Sequence, residues 1–244
     1  MKAREETPEG LIFYKLSDYD RNYGIVGHES VNEIIADRLL TVLDISHVPY
    51  QLIYADVLVD GKGLRTWLCA SRDFRQRGER KITLEDYYTL NRLPEESPLD
   101  FCIRCGWSES IYQMLLLDYL ILNRDRHGAN IEVLVNRAPG TVRLAPLYDH
   151  GVSLFCRCQS EDQLDGEDVM ADKPVQCFVG TRSARENLDL IPPGGPARLK
   201  PLKEADRRYL LEGLDGIISE KRQALIWEMI WRRWKVYEAL RTKG

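Results

Sequence analysis

Three polar residues that follow an apolar run could together perform metal-dependent phosphoryl transfer. Asp125 and Asn130 lie in the stretch NRDRHGAN, and Asp149 follows nineteen positions after Asn130. Magnesium neutralises the phosphates of ATP and prefers a few hard oxygen ligands, which an Asn and an Asp can supply. An Asp five residues before an Asn matches the kinase pattern in which the Asp orients the attacking hydroxyl. We therefore expect Asn130 and Asp149 to bind magnesium and Asp125 to orient the nucleophile.

The local sequence predicts a helix, a loop and a hairpin that bring these side chains into one cleft. The run Ser110–Leu122 is apolar and long enough for a buried helix, and the polar cluster after it predicts a loop. Residues 131–135 and 142–144 are β-type runs separated by a short turn, which is typical of a hairpin. The hairpin allows the chain to return Asp149 to the side of Asn130. The alternative for the cluster Asp-Arg-His-Gly at residues 125–128, taken alone, is a simple polar turn. The alternative for Asp149, taken alone, is a strand-end cap.

The segments NRDRHGAN, residues 123–130, and LAPLYD, residues 144–149, resemble the catalytic and metal-binding motifs of HipA-like serine/threonine kinases. A more distant resemblance is to the phosphatidylinositol kinases, and the likeness runs with gaps from about Phe13 to the C-terminal helices. It implies an α+β fold of the two-lobed protein-kinase type. The small β-rich N-lobe would cover residues 1–72, and the mainly helical C-lobe would cover residues 73–244.

The N-terminal part predicts a strand followed by a helix. Residues 11–16 form a short β-type run that carries Lys15. The stretch Ser30–Leu43 has apolar residues at the spacing of one helical face. Ser30 and Glu33 match a capping box, which gives Glu33 a purely structural role.

The resemblance gives Lys15 and Glu33 a second interpretation. In HipA-like kinases a strand lysine contacts the ATP phosphates, and an Asn-Glu pair at the start of the next helix supplies its partner. The pair Asn32-Glu33 matches that pattern. The resemblance therefore implies that Lys15 binds ATP phosphate and that Glu33 binds Lys15, with Glu29 as the alternative partner one turn earlier.

Two further β-type runs, residues 50–59 and 64–70, flank the turn at residues 60–63 and predict a hairpin. In a two-lobed kinase the last strand of the small lobe continues into the hinge, where backbone groups read the adenine edge. We place the hinge at residues 69–73, with Ser71 as an ATP-binding residue. An ordinary strand end is the alternative.

His127 stands two residues after Asp125 and belongs to the predicted catalytic loop. Phosphoryl transfer has a largely dissociative transition state and demands little help from a general base. We therefore expect His127 to fix the loop by hydrogen bonding rather than to transfer protons.

The segment before Lys15 departs from the family pattern. Only fourteen residues precede Lys15, and Gly10 alone cannot form a glycine-rich loop over the phosphates. Residues 18–27, with Gly24 and Gly27, could cover the phosphates instead, or a partner chain could complete the N-lobe. Weak or absent catalysis is a third alternative. The joint presence of four residues argues against it: Lys15, Asp125, Asn130 and Asp149.

Length and composition agree with a globular enzyme. A chain of 244 residues can bury a large core as one domain or as two small lobes. The formal net charge of −4 argues against binding to bulk nucleic acid or to anionic membranes. No apolar run is long enough to span a bilayer, and the N-terminus MKAREETPEG lacks the apolar region of a signal peptide. We expect a cytoplasmic protein.

Two cysteine pairs, Cys102 with Cys105 and Cys156 with Cys158, could in principle bind zinc. The gap between the pairs is far longer than in a zinc ribbon. The second pair also follows Asp149, in the segment that a kinase uses as its mobile activation segment. We therefore expect reduced and mostly buried thiols.

The C-terminal part predicts a loop followed by helices. Residues 159–172 have loop composition, and residues 204–214 and 217–240 have helical composition. Tryptophans at helical spacing predict core packing rather than a ligand platform: Trp227, Trp231 and Trp234. Basic residues of the same helix are expected on a solvated face: Arg232, Arg233 and Lys235.

The sequence therefore predicts an ATP- and magnesium-dependent kinase that phosphorylates a Ser or Thr hydroxyl of a protein substrate. The resemblance adds two possibilities, a toxin-type kinase with an antitoxin partner and one half of a split kinase. A lipid or small-molecule kinase is an alternative, although the acidic balance and the lack of a basic amphipathic segment argue against the lipid version. A catalytically silent, nucleotide-binding regulatory module is the alternative outside the enzymes.

Overall fold

The N-terminal part of the chain forms a four-stranded antiparallel sheet in the computed structural model, which describes residues 1–138 and 140–241. The strands, in order across the sheet, are β1 (Lys2–Thr7), β2 (Gly10–Leu16), β6 (Lys62–Arg72) and β5 (Tyr50–Val59). Lys2, Lys15 and Cys69 lie opposite one another in neighbouring strands. Residues that lie directly opposite point to the same face of a sheet, so these three side chains share one face.

A small hairpin covers part of the other face of this sheet. It consists of β3 (Tyr19–Asp20) and β4 (Gly24–Ile25). Tyr19 and Ile25 pack against an apolar cluster that includes Leu16, the neighbour of Lys15 in sequence. Because successive residues of a strand point to opposite faces, this hairpin lies away from the face that carries Lys15.

Helix α1 (Glu29–Leu43) connects β4 to β5 and belongs to the largest hydrophobic core. Its residues Ile35, Leu39 and Leu43 are completely buried, which confirms the predicted helical face. The predicted capping box is wrong. His28 is the N-cap and makes no side-chain cap, and the Ser30 hydroxyl lies inside the helix, where it donates to the Lys15 carbonyl at 3.1 Å.

The remainder of the chain is mainly helical. The further helices are α2 (Leu84–Asn91), α3 (Pro98–Arg104), α4 (Ser108–Ile121), α5 (Glu161–Asp165), α6 (Ala184–Asp189), α7 (Asp206–Leu211) and α8 (Glu220–Arg241). The largest core joins buried residues of α1, α4 and α8. Helix α4 is the buried helix that the sequence predicts before the polar loop, and within the described residues no helix is long and apolar enough to cross a membrane.

Two small sheets lie around the predicted catalytic loop. The first has the order β10 (Thr141–Leu144), β9 (Glu132–Asn136) and β7 (Glu79–Thr83). The pairing of β9 with β10 confirms the predicted hairpin, whose Pro139 lies outside the described residues. The second sheet pairs β8 (Asp125–Arg126) in parallel with β11 (Gln176–Cys177).

The C-terminal predictions are confirmed for the tryptophans and corrected at two places. Trp227 and Trp234 are buried in the core, so they pack rather than form a platform. Arg233, predicted on a solvated face, is 1% exposed and donates to the carbonyls of Tyr119, Val169 and Ala171. The stretch predicted as a loop, residues 159–172, contains helix α5, which begins with a capping box.

We predict that Arg233→Ala strongly destabilises the fold, whereas Arg232→Ala does not. The first change leaves three carbonyl groups without their charged donor, which costs about 2 kcal/mol or more. The Arg232 side chain is half exposed and pairs with Glu228 on the helix surface, so its loss changes the stability by less than about 0.5 kcal/mol. Urea unfolding of both variants measures the free energies. Equal losses would contradict the role of the buried guanidinium.

Candidate active site

Three charged side chains from three separate segments meet on the face of the sheet that carries Lys15. The Lys15 ammonium, on β2, donates to Glu33 Oε1 of α1 at 2.7 Å and to Asp149 Oδ1. Glu33 is completely buried, and the side chain of Lys15 is 19% exposed. Glu29, the alternative partner, instead accepts from the backbone N–H of Asp18 at 2.9 Å. The structure therefore places Glu33, rather than Glu29, against Lys15.

Glu33 also binds the backbone that follows Asp149. Its Oε2 accepts from the His150 N–H at 2.8 Å, and its Oε1 accepts from the Gly151 N–H at 3.0 Å. The preceding residue, Asn32, donates its amide to the carbonyls of Gly151 and Ser153, each at 3.0 Å. The pair Asn32-Glu33 therefore connects helix α1 to the segment after Asp149 through four hydrogen bonds.

The charges of this cluster stabilise one another. Burial alone would lower the pKa of Lys15, but Glu33 and Asp149 outweigh that effect and raise it above its usual value. Burial would likewise raise the pKa of Asp149, but Lys15 and then Lys2 hold it well below its usual range. Burial raises the pKa of Glu33, an effect that Lys15 opposes. Lys15 is thus protonated and Asp149 ionised at neutral pH.

The backbone around Asp149 is tightly constrained. Asp149 has a φ of 58°, in the left-handed region that non-glycine residues seldom adopt and that occurs at functional sites. At Gly151, a Cβ atom would lie 2.9 Å from the Glu29 Cβ and 3.1 Å from the Lys15 Nζ. The close packing of this backbone against α1 and β2 therefore requires glycine at position 151.

A buried arginine, which the sequence reasoning missed, holds the other side of the site. The Nε and Nη2 atoms of Arg126 donate to the two carboxylate oxygens of Asp118, each at 2.9 Å. Its Nη1 donates to the carbonyls of Asn130 and Tyr148, and its Nη2 also lies 2.9 Å from His150 Nδ1. Arg126 therefore joins the catalytic-loop segment to the segment that carries Asp149.

Two features of the sequence could have revealed this arginine. Asp118 is the only charged residue within the apolar run 110–122, and a carboxylate in a buried helix needs a cationic partner. Arg126 lies eight residues later, at the end of the same helix–loop unit. Burial, and secondly the charge of Arg126, holds the pKa of His150 well below its usual value, so the ring is neutral and can accept from the guanidinium.

Asp125, Asn130 and His127 form a compact loop. The Asn130 amide donates to the Asp125 carbonyl at 2.7 Å and approaches its carboxylate at 3.4 Å. His127 Nδ1 accepts from the Ala129 N–H at 3.2 Å, and its Nε2 lies 3.7 Å from Asp125 Oδ1. The pairing of β8 with β11 fixes the backbone of Asp125. The contacts of His127 are thus to its own loop.

A cavity of about 290 Å³ opens between the sheet and the loop that carries Asn130. Four of the predicted site residues line it: Lys15, Ser71, Asn130 and Asp149. Lys2, which the sequence did not predict as a site residue, lines it as well, and so does Cys69 of the predicted hinge. Asp125 and His127 do not line the cavity, and Asp125 is connected to it through Asn130. Glu33 lies behind the cavity wall, where it contacts Lys15. The structure thus brings the predicted Lys15, Asp149 and Asn130 into a shared cleft.

Aromatic rings line the same cavity where β6 ends. Phe13, Phe74 and Tyr148 lie around the Lys81 ammonium, whose Nζ is 4.5 Å from the Phe74 ring centre and 5.9 Å from the other two. Lys81 also pairs with Glu132 Oε2 at 3.0 Å. Flat aromatic faces with a donor and an acceptor nearby are suited to a heteroaromatic base.

Asn130 and Asp149 fit a magnesium ion by the chemistry of their donor atoms. Both line the cleft, and both present the hard oxygen atoms that magnesium prefers. The side-chain nitrogen of Asn130 donates to the Asp125 carbonyl, which leaves the side-chain oxygen Oδ1 of Asn130 for a cation. In contrast, both oxygens of Asp149 lie against lysines, Oδ1 against Lys15 and Oδ2 against Lys2 at 3.1 Å. A metal ion on Asp149 would replace at least one lysine.

The cysteine pairs do not converge on a common site. The described residues contain no group of three or more His, Cys, Asp or Glu side chains placed to hold a metal ion. Cys102 is completely buried, and burial raises its pKa to about 12. Cys156 and Cys158 are also buried free thiols.

The segment expected to cover the phosphates lies elsewhere. None of residues 18–27 lines the cleft, since their hairpin packs on the opposite face of the sheet. The hairpin of β1 and β2 borders the cleft instead and contributes Lys2, Phe13 and Tyr14 to its wall. The structure therefore does not favour the alternative in which residues 18–27 cover the phosphates, because Tyr19 and Ile25 join the apolar cluster on the opposite face.

Searches with the sequence give no match, either to protein-family models or to curated proteins. Solved structures do match by fold. The crystal structure of CtkA, a proinflammatory kinase of Helicobacter pylori, aligns with a TM-score of 0.72 at 15% identity. The alignment covers 99% of this chain and 93% of that chain. This chain therefore has the fold of a kinase, with mixed α and β content and antiparallel sheets.

HipA of Shewanella oneidensis MR-1 also matches, from the structure of a toxin–antitoxin system with HipB and operator DNA. Its TM-score is 0.45 at 12% identity, and the alignment covers 95% of this chain and 51% of that chain. The CtkA match, which spans nearly the whole of both chains, confirms a kinase-like fold of mixed α and β content.

We predict that Gly151→Ala destabilises the protein by about 1–3 kcal/mol, because the added methyl group overlaps α1 and the Lys15 ammonium. Gly166→Ala is the matched control, since a Cβ there meets no atom within 4 Å. The control should stay within about 0.5 kcal/mol of the wild type. Urea unfolding at neutral pH compares the two variants. A Gly151→Ala variant with the same free energy of unfolding as the wild type would contradict this prediction. It would show that the segment can move away from α1 at no cost.

We also predict that Asp149→Asn lowers stability at neutral pH and that this loss shrinks in acid. The pKa of Asp149 is depressed in the folded state, so its charge stabilises the fold above the unfolded pKa of about 4. That contribution is lost progressively as the pH falls from there toward the folded pKa. Urea unfolding at pH 7 and pH 3 tests this, with Asp56→Asn, whose carboxylate is 81% exposed, as the control. A loss of equal size at both pH values would contradict the prediction.

Proposed function

We propose that this chain is an ATP- and magnesium-dependent kinase that transfers the γ-phosphate to a serine or threonine hydroxyl of a protein. One observation carries the proposal: Lys15 and Asp149, from distant segments, meet in the cleft that Asn130 also lines, and the buried Glu33 holds Lys15 from behind its wall. A structural role alone would not require Lys15, Lys2 and Asp149 to face an open cavity. The division into lobes at residues 1–72 and 73–244 is part of this proposal.

Each residue has a role that its position supports. Lys15, held by Glu33, is placed to bind a phosphate of ATP, since its ammonium already faces an anion in the cleft. Asn130 and Asp149 would hold magnesium. When bound, the metal would neutralise charge on the phosphates. Asp125, whose carboxylate is 38% exposed, would orient the substrate hydroxyl and accept its proton at the carboxylate oxygen.

The base of the nucleotide would occupy the aromatic end of the cavity. Ser71, Arg72 and Phe74 line the cavity where β6 ends, which is the place predicted for the hinge. The rings of Phe74 and Tyr148 offer flat apolar surfaces, and Lys81 and Glu132 offer polar contacts. In this proposal Ser71 belongs to the ATP-binding wall.

The substrate class and the partners rest on the resemblance to HipA-like kinases. A protein substrate is favoured because Asp125 lies outside the nucleotide cavity and is exposed to solvent, so a large substrate can reach it. A toxin-type role with an antitoxin partner, or a partner chain that completes the N-lobe, is part of the same proposal.

A catalytically silent nucleotide-binding module is the second candidate. The observation that favours it is that lysines occupy both oxygens of Asp149. If the metal cannot replace a lysine, the cleft would bind nucleotide without transferring phosphate. This candidate predicts binding without turnover, whereas the kinase predicts both.

The deciding experiment is a thermal-shift titration with ATP, with and without magnesium, followed by a phosphate-transfer assay with radiolabelled ATP on the same samples. Ligand at a hundred times its Kd stabilises a fold by about 2.7 kcal/mol, which raises the unfolding temperature. We expect a magnesium-dependent rise for the wild type that Asp149→Asn loses. Transfer of label would establish a kinase, and binding without transfer would support the silent module. No shift at millimolar ATP would overturn both.

Two variants test the assignment of the catalytic loop. Asp125→Asn should keep the thermal shift with MgATP and lower the transfer rate by about a hundredfold or more. His127→Ala should lower it by about tenfold or less, because His127 contacts only the loop and the edge of Asp125. Steady-state transfer rates, with circular dichroism as the check on folding, measure both effects. Equal losses of transfer rate in the two variants would contradict the proposal that Asp125 matters more than His127.

A further inference from the structure

Lys2 is a cleft residue that no motif points to. It lies on β1 directly opposite Lys15 on β2, so both side chains project from the same face of the sheet. Both ammonium groups reach the same carboxylate: Lys15 contacts Asp149 Oδ1, and Lys2 lies 3.1 Å from Asp149 Oδ2. Like charges placed directly opposite destabilise a strand pair unless an anion lies between them. In this structure Asp149 is that anion.

The two lysines are held very differently. Lys15 is 19% exposed and also binds the buried Glu33. Lys2 is 71% exposed, and its pair with Asp149 is the one ion pair that it makes within the described residues. An exposed pair of this kind contributes little to stability and exchanges easily. A cation that binds Asp149 would therefore displace Lys2 before Lys15.

The displaced ammonium would remain at the wall of the cleft, because β1 is fixed to β2 along its whole length. Its long flexible stem allows it to follow the nearest negative charge. With nucleotide and metal bound, Asp149 would hold the metal, and the phosphates would supply the negative charge between the two lysines. The two opposed lysines need an anion between them. Asp149 is that anion in the free protein, and a phosphate would take its place in the complex.

We propose that Lys2 is a second phosphate-binding lysine, which pairs with Asp149 in the free protein and moves to the β- or γ-phosphate of ATP when metal binds. This inference rests on the proposed function, since it assigns a residue to the triphosphate in the same cleft. It also places the edge strand β1, which pairs with β2 beside the cleft, at the phosphate end of the site.

The test measures the affinity for ATP and for AMP, each with excess magnesium, by isothermal titration calorimetry. The variants are Lys2→Met, Lys2→Arg and, as the matched control, Lys62→Met, which removes an exposed lysine at the far end of β6. Loss of one charge-assisted contact should raise the Kd for ATP about tenfold in Lys2→Met. The Kd for AMP should not change, Lys2→Arg should retain most of the affinity, and Lys62→Met should match the wild type.

The possible results are distinguishable. Equal weakening of ATP and AMP, or no weakening of either, would overturn the role of Lys2 while leaving ATP binding intact. Tighter ATP binding by Lys2→Met would also overturn it and identify the lysine as an inhibitory lock on Asp149. A wild-type chain that binds no ATP would overturn the proposed function, and this inference with it. Unchanged thermal unfolding of the free Lys2→Met variant is expected, since the side chain is exposed.

Discussion

The fully buried carboxylate of Glu33 is the constraint on which the site depends. A carboxylate removed from water is costly unless charged and backbone donors surround it. Glu33 obtains those donors from β2, through Lys15, and from the backbone N–H groups of His150 and Gly151. Satisfying one side chain therefore fixes the position of α1 on the sheet and the course of the chain after Asp149.

A second buried charge completes the arrangement from the opposite side. Arg126 and Asp118 neutralise each other in the core, and the remaining donors of the arginine fix the carbonyls of Asn130 and Tyr148. His150 belongs to both systems, because its backbone N–H binds Glu33 and its ring accepts from Arg126. The site is thus a continuous polar network between a sheet and a helical core, and the hydrogen bonds of Glu33 and His150 join segments that are distant in sequence.

The sequence predicted what depends on local pattern and missed what depends on distant partners. Apolar spacing predicted α1 and α4, and β-type runs predicted the β9–β10 hairpin, because each element buries a periodic face. The capping box failed at Ser30 because tertiary contacts to Lys15 took precedence over a local rule. Arg233 carries no local sign of burial, because the carbonyls that partner it come from other segments. The burial of Arg126 is signalled only indirectly, by the need of Asp118 for a cationic partner. The role of Lys2 depends on strand register, which composition alone does not reveal.

The shared face of β2 and β6 has a consequence for the chemistry of thiols. Cys69 stands beside Lys15 in the row that lines the cleft, yet burial and the nearby carboxylate of Glu33 raise its pKa to about 12. Only the thiolate attacks electrophiles or enters the oxidation pathway, so this thiol stays inert at neutral pH. Cysteine-directed covalent inhibitors that depend on a reactive thiolate would therefore find a poor anchor in this cleft, and oxidants would leave its wall unmodified.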